Sequence, residues 1–195
     1  AIEVLAQIRT GRLQIDQPVT GQRHLVGFSG TVHIADRRAQ IRADGRAIAA
    51  PGVAGGGKLA LLLDAVPEQN KLDIDLKLNA PAQGLVAGFS GIAQPVDIAL
   101  AGKGDWKAWN GTLAGNLGAE KLANVALPAR DGAFTVRGPI RPGLFLTGPG
   151  RDMLEPATQI NMTGTMAQRK VTLKGGLASD NFTFGADGLV DLGAS

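Results

Sequence analysis

Cysteine and tyrosine are absent from this 195-residue chain, and aromatics amount to only 4% of it. Without cysteine there is no disulfide, no thiolate nucleophile and no Cys-based zinc site. Such a chain suits an oxidising compartment but is equally compatible with the cytosol. Charge of one sign is scarce too: 20 Lys and Arg stand against 17 Asp and Glu, a formal charge of +3. The densest basic cluster is Arg37-Arg38. A nucleic-acid groove needs concentrated positive charge and stacking aromatics, so no nucleic-acid partner is expected. No apolar run approaches the ~18 residues that span a bilayer as a helix. Histidine is limited to His24 and His33, neither beside patterned carboxylates, which leaves no metal site and no catalytic triad. The opening AIEVLAQIRTGRLQI lacks an initiating methionine and is alternating and polar, unlike a signal peptide. Residues 1–195 are therefore expected to be one β-rich segment excised from a much longer chain, with any targeting signal elsewhere.

What the chain does have is alternation. In KLDIDLKLNAP, Leu72, Ile74, Leu76 and Leu78 alternate with Lys71, Asp73, Asp75, Lys77 and Asn79. Successive strand side chains point to opposite faces, so the segment has an aliphatic face and a charged face. The pattern recurs from Ile2 and Val4 through Leu13 and Ile15, Val26 and Phe28, Val32 and Ile34, and Ile41 and Ala43. It continues in Leu59, Leu61 and Leu63, in Val96, Ile98 and Leu100, and in Leu113 and Leu117. Phe134 and Val136, Leu144 and Leu146, Ile160 and Met162, Val171 and Leu173, Phe182 and Phe184, and Val190 and Leu192 complete it. The breaks between these pairs, such as Thr10-Gly11, Ser29-Gly30 and Asp36-Arg37-Arg38, carry turn residues, and most of the 28 glycines and 10 prolines sit at such places. More than a dozen short strands are predicted, with short helices near Pro81–Phe89 and Pro149–Glu155. This is a large, mostly antiparallel all-β structure.

Several motifs come close to chemistry and stop short. Gly52, Gly57 and Lys58 have the spacing of a phosphate-binding loop, but Leu59 stands where Ser or Thr should hold magnesium. The following LALLLDAV alternates like a strand, not like the helix that would cradle phosphates. Asn110, Asn161 and Asn181 open Asn-X-Thr triplets, a weak signal in a chain rich in strand threonines. Asp73 and Asp75 share a strand face with Lys71 and Lys77, a solvated arrangement and not a glycosidase pair. No enzyme and no cofactor are expected.

Two stretches carry a family likeness. LQIDQPVTGQRHLVGFSGTVHI, Leu13 to Ile34, has a strand, a Pro-Val-x-Gly corner and a second strand. VDIALAGKGDWKAWNGTLAGNL, Val96 to Leu117, has a strand, Gly-x-Gly-x-Trp, and Trp-Asn-Gly opening another strand. Each tryptophan can seal the end of an apolar face. Together with the closing FTFGADGLVDLGAS, these resemble the TamB family, the inner-membrane-anchored subunit of the bacterial translocation and assembly module, within the AsmA-like group. The resemblance covers essentially the whole chain as a style of repeat.

It implies a curled, elongated, β-taco-like sheet whose hydrophobic inner face conducts phospholipid across the periplasm between inner and outer membranes. It also implies an outer-membrane barrel partner and an inner-membrane anchor elsewhere in the parent chain. Strand parity names the lining candidates: Leu59, Leu61, Leu63, Leu72, Ile74, Leu76, Leu78, Val96, Ile98, Leu100, Ile160, Met162, Val171 and Leu173. The same residues would serve as the filling of an ordinary closed core. A strand-adding module for outer-membrane protein assembly is a further alternative.

Overall fold

Alternation over this length produces one sheet. The computed structural model describes residues 4–36, 38–51, 55–69, 71–105, 107–167 and 170–191. Its strands are β1 (Val4–Ile15), β2 (His24–Ala35), β3 (Arg38–Ala47), β4 (Lys58–Val66), β5 (Lys71–Ala80) and β6 (Val96–Gly104). They continue as β7 (Ala108–Leu117), β8 (Glu120–Arg130), β9 (Ala133–Ile140), β10 (Thr158–Ala167), β11 (Lys170–Ala178) and β12 (Thr183–Asp191). All twelve lie in one sheet in sequence order, each antiparallel to the next. The sheet is curled and open, with β1 and β12 as its two edges.

Helices gather at one margin of the sheet, in loops that follow odd-numbered strands. They are α1 (Gln17–Thr20), α2 (Leu85–Ser90) and α3 (Pro149–Leu154), with a 3₁₀ turn at Pro142–Phe145; a second 3₁₀ turn, Pro67–Gln69, follows β4 at the opposite margin. Gly91 ends α2 in the left-handed region, at φ 72°, a conformation that costs glycine little. Arg141 anchors the loop before β10 by pairing with Glu155 at 2.6 Å and with Glu120 at the start of β8.

Some sequence expectations need correction. Ser29-Gly30 does not break β2, because both residues keep their ladder partners, Arg9 and Ile8 on β1. Thr10-Gly11 marks a bulge within a continuous β1, between Thr10 and Leu13. Leu144 and Leu146 are not a strand: Pro142 withholds a ladder donor, and the chain turns at Pro142–Phe145 instead. Strand β8 was not foreseen, since Pro128 and the small residues of LANVALPAR dilute its alternation. Ile2, Arg37, Trp106 and Leu192, and residues 52–54 of the Gly52–Leu59 stretch, lie outside the described residues.

One layer of sheet leaves little interior. Among the described residues the buried hydrophobics are Ala65, Val66, Ala80, Val96, Leu117 and Val125. The surface of 12298 Å² exceeds the roughly 8,700 Å² that size scaling gives a compact protein of this mass. Cohesion therefore rests on the backbone ladders and on cross-strand pairs.

The outer face is held by charge. Asp64, almost wholly buried, takes paired hydrogen bonds of 2.8 Å from Arg38 and one of 2.8 Å from Lys71. Those bonds, Arg38's first, lower its pKa from 3.8 to about 2. A carboxylate depressed in the folded state stabilises fully above its unfolded value and loses that contribution as pH falls through the folded one. Thermal stability is thus expected to fall between about pH 4 and pH 2 by ~1–2 kcal/mol, discounted because both cations meet water. In Asp64→Asn that step should vanish from a pH series of melting curves.

Candidate functional site

The cross-strand register puts the aliphatic positions in rows. One row runs Gly30, Ala43, Leu61, Leu76, Leu100, Leu113 and Val125 across β2 to β8. Beyond β8, Ala123 faces Ile140 and Ala129 faces Phe134, which carries the same face onto β9. There Val136, Met162, Gly175 and Ala186 form a row from β9 to β12. A period of two plus antiparallel pairing makes this inevitable once the registers agree. All the lining candidates named from sequence, Leu59 to Leu173, fall on this one face.

Their exposure separates them. Val96 is 5% exposed and packs with Ala80 and Leu117. Every other candidate is partly open to solvent, neither sealed like a core nor free like a surface residue. From β3 to β7 every inner-face strand position is aliphatic or glycine except Trp109, and none is charged. The opposite face carries the ion pairs, Lys71 with Asp73 at 3.3 Å and Lys77 with Asp75 at 3.5 Å.

At the helical margin, Leu85 and Val86 of α2 stand over Val26 and Phe28 of β2, Leu59 of β4, and Leu78 and Ala80 of β5. Together they line a half-open apolar pocket of about 210 Å³. Val86, Ile92 and Leu144 pack on the Ala80, Val96 and Leu117 cluster, and α1 touches α2. This margin is where the apolar face has a cover.

Aromatic rings lie along the face instead of filling its centre. A β-carbon at Gly102 would stand 1.9 Å from Trp109 Cζ2, and one at Gly111 2.2 Å from its Cη2. The indole therefore rests on glycine backbone, and its Nε1 donates to the Leu72 carbonyl at 3.0 Å. A β-carbon at Gly164 would likewise meet Phe134 Cζ at 2.1 Å. Large rings over missing side chains keep the face shallow.

Sequence reasoning overlooked part of the face. Val125 and Leu127 on β8 sit between the β7 and β9 rows, and Trp109 spans β7 to β5. Alternation of Val125 and Leu127 with Asn124 and Ala126 was the available signal.

Comparison of the chain with protein-family models, with curated proteins and with solved structures finds no match in any of the three.

The face itself sets the available chemistry. Among the described residues no three of His, Asp and Glu gather in a group that could hold a metal ion. No helix among them is long and apolar enough to cross a membrane. His33 is exposed on the charged face, and Lys58 opens strand β4 where a phosphate-binding loop would open a helix.

Proposed function

We propose that this chain is a segment of a bridge that conducts phospholipids between two membranes, with the acyl chains lying along the apolar inner face. The observation that carries this reading is the extent of that face: it crosses all twelve strands, bears no charge in its middle, and stays partly open to solvent. A closed core of the same residues would need a second layer, and α2 covers one margin only. Each methylene moved from water onto aliphatic wall gains roughly 0.8 kcal/mol, so a few strands hold an acyl chain without any polar anchor. A conduit must also release its cargo, and a smooth wall without fixed donors suits that. By its resemblance, the segment belongs to the periplasmic part of an inner-membrane-anchored protein, works beside an outer-membrane barrel partner, and uses neither catalysis nor a cofactor.

The test is chemical. Protein prepared without detergent, extracted with organic solvent and analysed by mass spectrometry is expected to release phospholipid. Leu76→Asp and Ile98→Asp, which put a carboxylate in the middle of the wall, should lower that yield about tenfold while the sheet remains folded. A lipid-free wild-type chain would end this reading. So would variants that unfold outright, because those leucine and isoleucine side chains would then be core.

A further inference from the structure

We infer that the outer face of β1 to β4 carries a binding site for a phosphate group borne on a polar molecule. The site is a half-open pocket of about 680 Å³, on the side of the sheet opposite the apolar face. Alternation and register build it. Arg9, Ser29, Asp44 and Ala60 form one row across the four strands, and Gly27, Arg46 and Lys58 form the next. A period of two keeps these on the outer face and Phe28, Gly45 and Leu59 on the inner one.

The charges here are arranged unlike those of the neighbouring outer face. There Asp64 stands between Arg38 and Lys71, and Lys77 pairs with Asp75. Arg46, by contrast, lies directly opposite Lys58, and like charges in register repel. Neither of these two cations, nor Arg9, has an ion pair or a side-chain hydrogen bond among the described residues. On the other side of Arg46 stands Gly27, where a β-carbon would lie 3.9 Å from Arg46 Nε and 3.6 Å from Ile48 Cδ1. Arg46 therefore leans over β2, the strand next to the one that carries Arg9, and Ile48 walls one end of the pocket.

Three cations and one acid leave a net charge of +2 around the pocket. A phosphomonoester carries about −1.5 to −2 near neutral pH and three strong acceptor oxygens. It would relieve the repulsion between Arg46 and Lys58 and accept hydrogen bonds from both, from Arg9 and from the Ser29 hydroxyl. The space exceeds what one phosphate fills, and Asp44, opposite Ser29, supplies an acceptor for hydroxyl groups on the rest of the ligand. A phosphorylated sugar meets these demands. A nucleotide base would not stack on Phe28, whose ring lies against the inner-face positions Gly30 and Gly45. The phosphate comes either from such a soluble ester or from the headgroup of a lipid. The site uses the face of the sheet, not its edges, and it does not rest on the reading of the inner face as a conduit.

Two measurements at low ionic strength test it: calorimetric titration with glucose 6-phosphate, and flotation with phosphatidylcholine vesicles that contain phosphatidic acid, compared with phosphatidylcholine alone. The wild-type chain is expected to bind at least one of the two phosphates, and more weakly as salt is added. Arg46→Gln and Lys58→Gln should each weaken that binding about tenfold, and Asp44→Asn should strengthen it. Lys103→Gln removes the same charge from the outer face at β6 and should leave it unchanged. Without ligand, Lys58→Gln should melt no lower than the wild type, because the opposed like charge is gone. Binding of the sugar phosphate alone assigns a soluble ester, and binding of the phosphatidic acid vesicles alone assigns a lipid headgroup. Binding of neither overturns the inference. An equal loss in Lys103→Gln, or weaker binding in Asp44→Asn, overturns it too.

Discussion

Leu117→Ala is expected to lower the unfolding free energy by about 3 kcal/mol, and Leu76→Ala by only about 1 kcal/mol. Both are strand leucines on the same face, and they differ in what lies above them. Leu117 is 2% exposed and forms with Ala80 and Val96 a cluster against which Val86, Ile92 and Leu144 pack. Removing its branch leaves a cavity whose neighbours, tied to two loops and a helix, cannot all collapse. Leu76 has cross-strand neighbours Leu61 and Leu100 but keeps part of its surface in water, so truncation sacrifices less burial. Urea unfolding with slopes compared between variants would measure both. Equal costs at the two sites would mean that the middle of the face is as covered as its margin, which would remove the basis for a conduit.

The second large effect concerns a glycine. Gly102→Val is expected to cost about 2–3 kcal/mol, because a side chain at that position occupies space already held by the Trp109 indole. The ring has no lower place to go, since Gly111, paired with Gly102, lies beneath the same indole. It must swing away from the sheet and give up its bond to the Leu72 carbonyl. Trp109 emission, read in a Trp106→Phe background, should shift to the red as the indole meets water. An unchanged spectrum and an unchanged melting point would show that the ring does not rest on Gly102 in solution.

Trp109 also illustrates what was legible in the sequence. Each tryptophan is expected from the sequence to seal the end of an apolar face, and Trp109, near the start of β7, lies at the margin opposite the helices. Which residues it lies on could not be read, because Gly102 and Gly111 reach it from two different strands, one of them through pairing alone. Leu72 to Leu78 were assigned to one face correctly for a local reason: with a period of two, neighbouring side chains have no choice. Val125 and Leu127 escaped notice for an equally local reason, a proline and small residues that blur the pattern within β8. The pair Leu144 and Leu146 had the right spacing and the wrong backbone, since Pro142-Gly143 turns the chain before a ladder can form.

The sequence by itself determined the all-β class, the mostly antiparallel strands and the sorting of aliphatic from charged side chains. These depend on covalent geometry and on neighbours a few residues apart, which alternation and turn residues specify directly. Only the tertiary structure decided that the apolar face stays partly open, that α2 folds over one margin of it, that Val96 and Leu117 are sealed while Leu76 is not, and that β1 and β12 remain edges. Those outcomes depend on whether a second layer covers the face and whether the curled sheet meets itself. Both are contacts between residues far apart in the chain, and a period of two is the same with or without them.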